Sequence, residues 1–507
     1  MDAVFTFSLI AVLLAANPVC HALRPPVFLG RHDGGFLGNP VASEKTGAVP
    51  PDQYFSQKLD HFNYIDDSSW QQRYFISTQY YQDNGPVFLM LGGEAEANPQ
   101  WMVQGQWINY AASYNALILM LEHRYYGKSR PTSDLSTDNL QYLSVDQALA
   151  DVASFRQFMC DQMPELNTTK WIVFGGSYSG SLAAWYRLKY PHLVDGAVAS
   201  SAPMYAIMNF QDLLVAATQS IYATQSSWYN GWFCWSGFMN GTSIINGMVS
   251  YETKKAEQLL KVCDKIDPKN MDDVSNLFSV LASLVETVVQ YSNDNRQFEG
   301  ALGTDINIEK MCKVLTDFSP GKTLTDTFGD VVKMLLKAYN EPCLDFKYTK
   351  MIDRLKQVDW SSESAGGDRQ WMFQTCTEFG FYQTSDSYAQ PFGNDFPLSF
   401  FLQQCSDVFG SKFTETLLKR GVERTNLNYG GIFFKGSKVI FPNGSLDPWH
   451  TISITMNSPN MDDITPIFIN GTAHCADMYP SSPKDLPQLV DARQMIQKTI
   501  GRWLEED

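Results

Sequence analysis

Along the chain, short uninterrupted apolar runs alternate with longer stretches in which apolar positions recur at gaps of three and four. "PVFLML" (86–91), "ALILML" (116–121), "WIVF" (171–174) and "GAVAS" (196–200) are too short for helices and almost wholly apolar, the pattern of strands buried on both faces. Between the second and third of these, Ser144 and Gln147 read as a capping box that opens a helix to about Cys160. Strand, helix, strand in this order predicts a mostly parallel sheet covered on both sides.

After about Met204 the pattern changes. "DDVSNLFSVLASLVETVVQ" sets Val274, Leu277, Phe278, Leu281, Leu284, Val285 and Val288 on one helical face, and weaker helical text follows around 251–263 and 326–339 without convincing strand alternation. Strand text returns with "KVIF" (438–441) and "PIFI" (466–469), and "LVDARQMIQKTIGRWL" closes the chain as a helix. These elements predict an α/β sheet domain in two parts, 53–204 and 431–507, interrupted by a helical insertion at 205–430 that is too long for a loop. Residues 23–52, rich in Pro and Gly at first and without periodicity, read as a loose arm or short pro-segment.

The first 22 residues change the picture of where this fold works. "AVFTFSLIAVLLAA" followed by Cys20 and Ala22 suits a cleaved signal peptide, although the usual basic start is missing. No later stretch has the roughly 18 apolar residues of a membrane helix. The expectation is a soluble secretory-pathway protein without a membrane anchor, resident in lysosomes or endosomes or released outside. Eight cysteines remain beyond Cys20, six of them between 234 and 405, so the insertion should carry its own disulfides. Sequons at Asn167, Asn240, Asn443 and Asn470 predict glycosylation. A net charge of −16 argues against nucleic acid as a partner; homodimerisation is left open.

Candidate chemistry centres on "WIVFGGSYSGSLAAW" (171–185), a strand running through small residues into a helix. A nucleophile on such a strained turn needs small residues two before and two after it, because backbones pass closely there. Ser177 meets this with Gly175 and Ser179, whereas Ser179 would need serines at both small positions and Ser181 lies further into the helix. A purely structural strand-to-helix turn is the bland alternative, so the partners decide. In this strand-turn-helix arrangement the order along the chain is Ser, then Asp or Glu, then His. Asp447, in "VIFPNGSLDPWH", and His474, in "PIFINGTAHC", each follow a predicted strand, where loops at the carboxyl edge of a parallel sheet converge. His450 shares a loop with Asp447, and His192 falls about 20 Å down the helix from Ser177. His123, at a strand end but ahead of the serine, reads as structural. The oxyanion donors expected are the backbone N–H of Tyr178 and one from the "LGGE" turn at Gly93. No metal-ligand or dinucleotide pattern stands out, so no cofactor is expected.

These residues also carry a resemblance. "QKLDHFN" (57–63), "GPVFLMLGGE" (85–94), "LEHRYYGKS" (121–129), "LSTDNLQYLSVDQALAD" (135–151), "FGGSYSGSLAAWYRLKYPHLVDGAVASSAP" (174–203), "NGSLDPWH" (443–450) and "GTAHCADM" (471–478) resemble the serine peptidase family of lysosomal Pro-X carboxypeptidase, dipeptidyl peptidase II and thymus-specific serine protease, above all its thymus-type branch. The resemblance implies an alpha/beta-hydrolase fold with a disulfide-bearing helical cap, short peptides as substrates, and Ser177, Asp447 and His474 at the triad positions. Exopeptidase action is expected with it, as a dipeptidyl peptidase or a carboxypeptidase with a proline preference.

Trp449, beside Asp447, is a candidate wall of the pocket for the residue before the cut, and Glu94 or Glu96 a candidate partner for a substrate's free amine. Each has an ordinary counterpart, core packing for the one and solvated loop carboxylates for the others. Two rival functions share the scaffold: an esterase, and a non-catalytic protein that binds peptides.

Overall fold

The computed structural model describes residues 37, 38, 40, 47–224, 228–293, 306–456 and 463–506; the segment read as a signal peptide lies outside them. Eight strands form one sheet: β1 (Gln53–Lys58), β2 (Ser69–Ser77), β3 (Val87–Leu91), β4 (Leu117–Leu121), β5 (Trp171–Gly176), β6 (Gly196–Ser200), β9 (Val439–Gly444) and β10 (Ile464–Ile469). Their order across the sheet is β1-β2-β4-β3-β5-β6-β9-β10. From β4 to β10 every pairing is parallel, while β1 with β2 and β2 with β4 are antiparallel. The order places β5, and with it Ser177, in the middle of the sheet.

The runs are apolar on both faces because alternate side chains enter two cores. Val87, Leu89 and Leu91 of β3 face one cluster, and Phe88 and Met90 the other; β5 divides in the same way, with Trp171 and Val173 opposite Ile172 and Phe174. The second core is closed by the helices Gln106–Tyr114 and Pro487–Glu505 through Trp107, Ile108, Ile496 and Trp503. Each such large apolar side chain, fully enclosed, is worth about 1.5–3 kcal/mol relative to exposure.

Two antiparallel strands escaped the sequence reading because buried polar residues interrupt their inward apolar positions. Gln57 of β1 donates to Gln72 of β2 at 3.0 Å, and Arg73 is buried against Glu122, itself held by Ala97 N–H and the Ser129 hydroxyl. A second, two-stranded parallel sheet, β7 (Ile207–Asn209) with β8 (Gly380–Tyr382), likewise went unforeseen in the helical text. The capping box is only half formed. Ser144 accepts from Gln147 N–H at 3.4 Å, but the Gln147 side chain turns instead to Asp60 and the His61 amide.

Between β7 and β9 the chain is mostly helical, including Trp228–Tyr251, Met271–Gln290, Leu324–Ala338 and Glu415–Tyr429. Three disulfides, Cys234–Cys312, Cys263–Cys343 and Cys376–Cys405, tie this region to itself, and Cys160 and Cys475 are free and buried. Disulfides of this kind persist in oxidising compartments. No helix among the described residues is long and apolar enough to cross a membrane.

Candidate active site

β5 ends at Gly176, and Ser177 follows with φ 57° and ψ −128°, a backbone region costly for a side-chain-bearing residue, before the helix Tyr178–Lys189 begins. The turn is held by Ser177 N–H donating to Ser200 O at 2.9 Å. Small neighbours are mandatory, since a Cβ on Gly175 would stand 2.0 Å from the Ser179 carbonyl oxygen. The other two serines are committed to backbone. Ser179 Oγ donates to Gly176 O at 2.9 Å while accepting from Gly176 N–H at 3.0 Å, and Ser181 Oγ donates to Pro203 O at 2.9 Å.

Asp447 follows β9 and caps the short turn Pro448–Ile452, its Oδ1 accepting from Trp449 N–H at 3.1 Å. Its Oδ2 meets Nδ1 of His474, beyond β10, at 2.8 Å, and neither side chain has any exposure. Parallel pairing of β9 with β10 brings the two loops side by side, and Leu446 N–H donating to Thr472 O at 2.9 Å joins them. The His474 loop reaches the serine turn through the next residue. Cys475 N–H donates to Ser201 Oγ at 2.9 Å, and its sulfur is 3.1 Å from where a Cβ on Gly176 would be. Burial opposes charge on the His474 ring, yet the Asp447 carboxylate and then Cys475 outweigh it and hold the imidazolium well above the usual histidine range.

As the first residue of its helix, Tyr178 has an N–H that helix geometry leaves without an intrahelical acceptor. Gly93, just after β3, stands against this first turn, where a Cβ would lie 3.4 Å from Ser179 Cβ. The Tyr178 phenol is buried between His123 Nε2 at 3.1 Å and Gln374 Nε2 at 2.9 Å. His123 is structural in this placement: Nδ1 meets Arg124 O at 2.7 Å, and burial pushes its pKa down to about 4. His450 turns its Nδ1 to Asp447 O at 2.6 Å on its own turn.

Three further expectations meet their surroundings here. Trp449 is 2% exposed, packed on Phe210 and Phe381, with Nε1 donating to Gln290 Oε1 at 2.8 Å. Glu94 is buried on the turn beside Gly93 and close enough to Tyr178 for its charge to act on the phenol, whereas Glu96 pairs with Arg73 at 2.9 Å. Of the sequons, Asn167, Asn240 and Asn470 are exposed. Asn443 is a correction: at 1% exposure, with Nδ2 donating to Phe441 O and Ile454 O, it has no room for a glycan in the folded chain.

Sequence reasoning missed the part played by the inserted helix Met271–Gln290. Its last residue presents Gln290 O to His474 N–H at 2.9 Å, and the Tyr291 ring meets the His474 ring edge to face, centroids 6.0 Å apart. The available signal was Glu286 and Gln290, polar residues four apart in "LVETVVQ" of a helix otherwise buried there.

Known proteins bear on this arrangement. Residues 57–496 match the family described as serine carboxypeptidase S28. Mouse thymus-specific serine protease is 34% identical over 91% of this chain and 89% of its own length, and bovine lysosomal Pro-X carboxypeptidase is 28% identical over 97% and 94%. Among solved structures, the proline iminopeptidase of Mycobacterium smegmatis aligns with a TM-score of 0.36 and 11% identity, covering 89% of this chain and 99% of that one. Matched across most of its length and more than 30% identical to a near full-length relative, the chain belongs to the serine carboxypeptidase S28 family of serine peptidases.

Proposed function

We propose that the protein removes residues from one end of short peptides through an acyl-enzyme on Ser177, with His474 as the base and Asp447 as its orienting partner. The observation that carries this reading is the fully enclosed Asp447–His474 hydrogen bond at 2.8 Å, set beside a serine turn by the contact of Cys475 with Gly176. In this reading Ser177 Oγ attacks the scissile carbonyl as His474 takes its proton. His474 then returns the proton to the leaving amine, and water repeats the cycle on the ester. Tyr178 N–H and an N–H at Gly93 are the donors for the oxyanion. Glu94 is the proposed seat for a substrate's free amine, and a proline preference is an extension from the name of the bovine relative.

Fluorophosphonate labelling of the full chain, with the modified peptide mapped, tests the nucleophile. Labelling at Ser177 that disappears in Ser177→Ala supports it, and peptides blocked at either terminus then decide which end is trimmed. Hydrolysis of acyl esters but of no peptide favours the esterase; absence of labelling from pH 4 to 8 in folded protein favours the peptide-binding reading.

A further inference from the structure

Glu286 sits one turn before the end of the inserted helix, on the side of Gln290, and is fully buried. Neither carboxyl oxygen has a hydrogen-bond partner among the described residues. Such a carboxyl costs several kcal/mol if ionised without compensation, so its retention in an enclosed position calls for a reason. The groups whose charges act on it are His474, which favours its ionised form, and Asp447, which opposes it. Tyr291 and Cys475 adjoin the same cluster, and Gln290 and Tyr291 fix the end of this helix to the His474 segment. The other helices packed along Met271–Gln290 bring no described charge that acts on Glu286.

We propose that Glu286 is a positioning residue that acts through His474 by competing with it for one proton. The inference rests on the triad reading given above. In one arrangement the imidazole is neutral and Glu286 carries the proton, so His474 can accept from Ser177. In the other, Glu286 and Asp447 are both ionised and the imidazolium holds the proton, so it cannot. The two arrangements have the same total charge and differ only in where the proton lies. Burial, with Asp447 adding to it and His474 opposing, raises the Glu286 carboxyl to about 8, within reach of the raised His474. The inserted helix therefore restrains the base as well as covering it.

The test is the second-order rate of fluorophosphonate labelling from pH 4 to 10, measured on the full chain for the wild type, Glu286→Gln, Glu286→Met and His474→Ala. A permanently uncharged residue at 286 removes the competing state, so both Glu286 variants should reach half-maximal rate at a pH lower by about one unit, a roughly tenfold faster reaction below the wild-type midpoint. A residue that only fills space would change the rate by a factor independent of pH. An unchanged midpoint in whichever of the two variants folds, with labelling lost in His474→Ala, overturns the role of Glu286 alone. Labelling in His474→Ala as fast as in the wild type overturns the triad reading and this inference together.

Discussion

Gln290 holds both loops of the site at once: its carbonyl accepts His474 N–H at 2.9 Å and its side-chain oxygen accepts Trp449 Nε1–H at 2.8 Å. Gln290→Met keeps the backbone bond but strands a buried indole N–H, which should cost about 1–3 kcal/mol, whereas replacing both partners by apolar groups is often nearly neutral. Trp449→Phe combined with Gln290→Met is therefore expected to be more stable than the sum of the single changes. Thermal unfolding of all four proteins at one scan rate measures the coupling. Strict additivity would show that the side-chain bond contributes nothing.

Glycine positions in this chain divide by what a methyl group would strike. Gly175→Ala would drive a Cβ to 2.0 Å from the Ser179 carbonyl oxygen, so the turn must open and labelling at Ser177 should be lost. Gly247 lies inside the helix Trp228–Tyr251 with nothing within 4 Å of its would-be Cβ, and alanine there should stabilise by about 0.5–1 kcal/mol. Measured Tm values should move in opposite directions. A Gly175→Ala protein that labels at the wild-type rate would remove the steric account of the turn.

The strands that place Ser177 and Asp447 were legible because burial on both faces leaves apolar runs, as at 171–174 and 439–441, and the half-buried strand before His474 still reads as an apolar run at 466–469. β1 and β2 were not, since Gln57 bonds Gln72 and Arg73 pairs with Glu122 inside the fold, and these residues look like surface text to a reader of single residues. The approach of Gln290 to His474 was hidden for a different reason. It spans 184 positions in the sequence and depends on how the inserted helices pack over the sheet, which no local pattern encodes.

Stability should rise as pH falls from 8 to 5. Burial raises Glu286 to about 8, Glu378 to about 7 and Asp477 to about 6, above their values of 4.5, 4.5 and 3.8 in the unfolded chain. The folded state then binds more protons than the unfolded one across this window, and stability declines as each group is forced to ionise. His474 acts in the same direction: its contribution is complete below 6.5 and is lost as pH passes its raised folded value. Tm measured at pH 5, 6, 7 and 8 should decrease along the series, and Glu378→Gln should flatten it near 7. A Tm that climbs from pH 5 to 8 would contradict the burial of these carboxyls as neutral acids.

Activity should follow the opposite trend, which sets up a conflict between the conditions that preserve this protein and those in which it works. As the proposed base, His474 must be neutral to accept a proton, and Asp447 keeps it protonated to a pH above the ordinary histidine value. The acid limb of kcat/KM is therefore expected above pH 6.5. Asp447→Asn removes the charge that raises His474, so its limb should shift to lower pH. The rate at the plateau should fall by about 10⁴, because the neutral amide no longer steadies the imidazolium or its tautomer. The profile against a short peptide, taken for both proteins over pH 4 to 9, checks both parts. A wild-type plateau already reached at pH 5 would mean that His474 is not held by Asp447 in the working enzyme.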